Sequence, residues 1–122
     1  MPDRGLGPGS LVLCLVQEHR HLDMVLAGFL ELGISDAWVS EVQGMGQVLS
    51  VDVPIFAGLR SLFAGAAGEG HLITAAISED MADSVAAVVE DVCGPWDAES
   101  AATLIIVPLL SYRGPLFPFG GS

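Results

Sequence analysis

Two stretches of this chain repeat one pattern, a short unbroken apolar run followed by an apolar stripe at helical spacing, and that repetition narrows the possible folds most. Leu11-Val12-Leu13-Cys14-Leu15-Val16 has strand length and no polar alternation, so it is expected to be a strand buried on both faces. His19-Arg20-His21 turns the chain, and Leu22, Val25, Leu26, Phe29 and Leu30 then fall on one helical stripe that Gly33 is placed to end. A second strand is expected over about residues 37 to 42. The pattern returns with His71–Ile77 as strand three, then Ser78-Glu79-Asp80 as an N-cap with first-turn acids. Met81, Val85, Val88, Val89 and Val92 form the next stripe, which Gly94-Pro95 stops. Thr103–Val107 is strand four, closed by Pro108.

Strand, helix, strand, a long connection, then strand, helix, strand predicts an α+β fold. The expected form is a ferredoxin-like split βαβ sandwich: a four-stranded antiparallel sheet with two helices on one face. No further segment is left to cover the other face, so assembly with further copies is the simplest cover. The 122 residues, 52% of them apolar, suit one domain with one core. We expect a flexible arm over 1–9, the folded domain over 10–113 with an irregular segment over 44–70, and a Pro-rich apolar tail over 114–122.

Fifteen Asp and Glu face four basic residues, all Arg, for a formal charge of −11. Such a surface repels nucleic acid and disfavours anionic lipid. No apolar run reaches the length of a membrane span, and the first residues lack a cationic leader region, which points to a cytoplasmic protein without direct membrane insertion. Cys14 and Cys93 read as buried thiols in preference to a disulfide. Hydroxyls such as Ser40, Ser61 and Thr74 have no visible base and orienting acid, and there is no P-loop or metal-hydrolase spacing, so the chain does not read as an enzyme.

The run from Gly33 to Val48 joins a helix end, a strand (Trp38-Val39-Ser40-Glu41-Val42) and the tripeptide Gly44-Met45-Gly46. A strand ending in Gly-x-Gly can bring backbone N–H groups close to a phosphate or another chain. This run, its position and the distance to strand three resemble the nitrogen-regulatory PII signalling proteins, over about residues 10 to 113. The resemblance implies a regulatory homotrimer with sheets facing inward, whose long loop (the T-loop, here 44–70) controls a partner protein such as a membrane transporter or an enzyme. It also implies ATP or ADP in clefts between subunits, with Gly44, Met45, Gly46 and Gln47 near the nucleotide. Gly44 and Gly46 are then hinge and phosphate nest.

Several residues depart from the family pattern. The connection Cys93–Ser100, which in the family holds phosphates with glycines and basic residues, carries Asp97 and Glu99 and no base. The Arg-rich segment after strand four shrinks to Arg113, and the chain has no Lys. The only Tyr, Tyr112, lies outside the loop. Trp38 occupies a position close to the family's cleft, where it fills the cleft, stacks on an adenine, or serves as a core or interface aromatic.

Within the loop, Pro54 suits a first helical position, and Ile55, Phe56, Leu59, Leu62 and Phe63 make a helix-like stripe. It reads either as a segment folded back on the body or as a docking face for a partner groove. Arg60, the only Arg between residues 21 and 112, is then a polar probe or a surface Arg pairing with Asp52 or Glu69. The alternative reading is a divalent-metal-binding trimer of the CutA type, using His19, His21 and His71. Two His at i, i+2 lack two further placed ligands, and His71 joins them only through the fold.

Overall fold

The computed structural model describes residues 9–52 and 69–115. Its elements are β1 (Gly9–Val16), α1 (His19–Glu31), β2 (Trp38–Gln43), α2 (Met45–Asp52), β3 (Glu69–Ser78), α3 (Ala82–Cys93) and β4 (Ala102–Pro108). The sheet order is β2-β3-β1-β4 with every neighbouring pair antiparallel, which is the expected ferredoxin-like arrangement.

β1 alternates sharply. Val12, Cys14 and Val16 are fully buried beneath the helices, while Leu11, Leu13 and Leu15 are half-buried on the opposite face. This corrects the expectation of a strand covered on both sides. In one chain α1 and α3 lie on the same face, and the other face carries Leu11, Leu13, Leu15, Ile105, Val107 and Trp38. Register sets that composition: Leu13 lies opposite both Thr74 and Ile105, and Trp38 opposite Thr74.

The core is the helix-facing side of the sheet packed on α1 and α3. Leu22, Val25 and Phe29 of α1 meet Val85, Val89 and Cys93 of α3 over Ile73, Ala75 and Ile77 of β3. Leu30, expected on the buried stripe, is instead exposed, because it lies at the margin of that face. α1 ends as its sequence predicts. Gly33 takes the left-handed conformation at φ 91°. Its N–H donates to the Leu30 carbonyl at 2.9 Å, and the Ile34 N–H reaches back to Phe29 at 3.0 Å. This is a Schellman stop, and it carries Ile34 into the core beside Phe29.

The start of the second helix is less direct than the Ser78-Glu79-Asp80 signal suggests. A 3-10 turn over Glu79–Met81 precedes α3, and the Ser78 hydroxyl donates to the Asp80 carboxylate at 2.8 Å without capping a backbone N–H. The segment after β2 is not irregular throughout: Met45–Asp52 is helical, and β3 begins at Glu69. No helix among the described residues is long and apolar enough to cross a membrane.

The two long helices come close together at Gly28. A Cβ there would stand 2.5 Å from Val88 Cγ1. Val88 is stiff at χ1, so the helices must separate to admit it. Gly28→Ala is expected to lose about 1 kcal/mol in urea unfolding, overpacking outweighing the gain in helix propensity. Gly28→Ala with Val88→Ala should be more stable than the sum of the single effects; strict additivity would show that the helices do not meet there.

Cys14 and Cys93 are both free and buried, as the composition suggested. Burial, with a smaller contribution from the nearby Cys93, pushes the Cys14 thiol up to about 12 from 9.0. Burial also raises Cys93. The unfolded thiol ionises first, so the unfolded state loses protons that the native state keeps, and stability must fall as pH rises from about 9 toward 12. Below that window the thiol contributes no pH dependence. Urea midpoints should decline across it, less so in Cys14→Val, and iodoacetamide should label the native protein far more slowly than the unfolded chain.

Candidate functional site

The polar side chains gather where the β2–β3 hairpin meets the start of α1. Glu41 pairs directly with His71, and Gln43 with Glu69, so all four side chains leave the same face of the hairpin. That face belongs to the helix side of the sheet, but here the hairpin runs past the helices and stays open. Gln17 and His19 approach from the β1–α1 turn, which is pinned by the Gln17 N–H donating to the Ala101 carbonyl at 3.1 Å. The result is a cavity of about 650 Å³ lined by these six residues with Val42 and Gly70.

Two imidazoles meet at its wall. His19 and His71 lie edge to face, with ring centroids 5.3 Å apart and planes at 64°. The His71 Nδ1 is closed off from solvent and has no hydrogen-bond partner. The His19 Nε2 stands 3.9 Å from an Asp23 carboxylate oxygen one turn along α1. Glu18 precedes α1 and spends its carboxylate on Arg20 at 3.2 Å, with His21 Nδ1 at 3.7 Å. His21 therefore turns to Glu18 and does not line the cavity. Of the three histidines in the metal reading, folding unites two, and no group of three or more His, Cys, Asp or Glu among the described residues is gathered as a metal-chelating set.

No protein-family model matches the chain, and no curated protein matches it. Among solved structures, the chain is similar to the crystal structure of Arabidopsis thaliana PII bound to citrate, with a TM-score of 0.58 and 14% sequence identity over 84% of this chain and 78% of that one. The fold is PII-like.

The residues that the PII resemblance singles out are spread over this fold. Trp38 opens β2 at the sheet edge and is 54% exposed, so it is not a core aromatic. Gly44, Met45, Gly46 and Gln47 follow β2, but the Gly-x-Gly does not form a left-handed hook. Among described glycines only Gly33, Gly94 and Gly114 have positive φ, whereas Gly46 lies within α2 and the Val48 N–H donates to the Gly44 carbonyl at 3.2 Å. What these residues offer is the first turn of a helix. Arg113 is exposed beyond β4, the opposite edge strand, and three inter-strand steps separate β2 from β4 by roughly 14 Å. Ile55, Phe56, Leu59, Arg60, Leu62 and Phe63 lie outside the described residues.

Gln17, Glu41, Gln43 and Glu69 were not marked by any motif. The signal that could have found them is the period of two: Glu41 and Gln43 on one strand, Glu69 and His71 on the next, each pair sharing a face once the register is known.

Proposed function

We propose that this chain is a divergent, cytoplasmic PII-like signal-transduction protein: a homotrimer whose long β2–β3 connection engages a regulated partner protein. The observation that carries the reading is the PII-like fold together with an apolar sheet face left open in a single chain. Leu11, Leu13 and Leu15, half-buried, and Ile105 and Val107, exposed, line one apolar face of the sheet, of the kind that marks an interaction surface. A three-fold assembly that turns the sheets inward buries it and sets one subunit's β2 edge near another's β4 edge. Trp38, Gly44, Met45, Gly46 and Gln47 of one copy would then share a cleft with Arg113 of the next. The regulator works by population shift, a cleft ligand biasing the connection and the connection docking through Ile55, Phe56, Leu59, Leu62 and Phe63 with Arg60 as polar probe. The partner is a transporter or an enzyme, and the chain itself performs no catalysis.

An adenine nucleotide is the effector that the resemblance suggests, and the charges limit which one. The family's phosphate-holding connection is here the exposed Asp97 and Glu99. Each added phosphate negative charge is repelled by these carboxylates. Calorimetric titration should therefore show AMP binding no weaker than ADP, and ADP tighter than ATP, near one per subunit. Heat from none of them removes nucleotide gating and leaves only the docking role.

Sedimentation equilibrium tests the assembly directly. A trimer is expected for the native chain and a monomer for Leu13→Glu with Ile105→Glu, since two buried carboxylates per subunit cost far more than the seam can return. A native monomer at all concentrations would overturn the reading.

A further inference from the structure

The cavity at the end of the β2–β3 hairpin has a one-sided chemistry that the PII-like reading does not use. Its polar lining is Gln17, His19, Glu41, Gln43, Glu69 and His71, with two carboxylates and neither Arg nor Lys. Glu41 and Glu69 sit diagonally across two successive cross-strand pairs, so their Cα atoms are roughly 7–8 Å apart. No Arg among the described residues pairs with either of them. Arg20, the cation nearest in sequence to the cavity-lining His19, is held by Glu18 at 3.2 Å. The wider chain adds a field of the same sign, with a formal charge of −11.

The lining is rich in acceptors. Two carboxylates take hydrogen bonds at four oxygens, and the amide oxygens and imidazole nitrogens add more. A complementary ligand is cationic and made of donors. The volume of about 650 Å³ is that of a small-molecule site and far exceeds a bare ion, and the lining does not gather a chelating triad. A guanidinium meets these demands: five N–H donors in a planar fork, no acceptor, and a geometry that matches carboxylates two oxygens at a time.

We propose that the cavity formed by Gln17, His19, Glu41, Gln43, Glu69 and His71 binds a small organic cation carrying a guanidinium group, with Glu41 and Glu69 as its charged anchors. All six residues come from one chain, so the lining is complete without a bound nucleotide.

Agmatine is the probe, titrated calorimetrically into the full-length protein, with tetramethylammonium chloride, zinc chloride and ATP in parallel. Agmatine should bind near one per chain and raise the melting temperature. Glu41→Gln with Glu69→Gln should weaken it at least about tenfold, the loss expected for charge-assisted hydrogen bonds. Glu90→Gln with Asp91→Asn, the same charge change on the exposed side of α3, should leave it unaltered; both variants sit at exposed positions and should keep the native melting temperature without ligand. Absence of agmatine binding overturns the proposal. So does equal stabilisation by tetramethylammonium, which has no N–H and would report charge screening alone. Zinc binding that depends on His19 and His71, without agmatine binding, would make the cavity a metal site instead. ATP heat unaffected by the Glu41/Glu69 change would leave the nucleotide reading standing whatever agmatine does.

Discussion

β1 is the element on which the rest of this structure leans. It is one of the two central strands, paired along one edge to β3 and along the other to β4. Its Val12, Cys14 and Val16 are wholly closed from water under α1 and α3. The chain after β1 enters α1 directly, and the Gln17 N–H ties that turn to Ala101 just before β4. A single strand thus fixes the sheet order, seats both helices and positions His19 against His71. Apolar burial at about 25 cal/mol per Å² supplies the drive, and the ladders make the geometry unique.

The helix layer adds its own constraint at Gly28. Without a Cβ there, α1 comes close enough for Val88 to fill the gap, and the two helices lie tight over Ile73 and Ile77. The two thiols are buried in the same core. Cys14 and Cys93 are placed here as small apolar side chains, and burial is the main reason the Cys14 thiol is raised.

Much of this was legible from residue order. The apolar run at Leu11–Val16, the stripe from Leu22 to Phe29 and the stop at Gly33 each rest on local chemistry, and each appears where that chemistry puts it. The four strands follow within a residue or two, whereas α1 already begins at His19, where a turn was expected, and α3 begins only at Ala82, after the 3-10 turn. What local chemistry could not supply is equally specific. α2 has neither a strong apolar stripe nor a helix-favouring start, since Gly44 and Gly46 open it, so its helicity could not be read from propensity. The half-burial of Leu11, Leu13 and Leu15 depends on which face the helices choose, a tertiary fact. The approach of His19 to His71 spans half the chain, and Glu41 and Glu69 acquire meaning only once β2 and β3 are in register.

The hairpin register also bears on how such a protein can change. The connection between β2 and β3 leaves at Gln43 and returns at Glu69, two residues that face each other across one pair, about 5 Å apart. The two ends of the connection are therefore fixed side by side in the sheet. Closing a loop twice as long across that gap costs only about 0.6 kcal/mol more. On closure entropy alone, the length of the connection weighs little on the fold. Lineages sharing this scaffold can exchange one loop for another, and so one recognition task for another, without renegotiating the fold; a designer can graft at the same two residues.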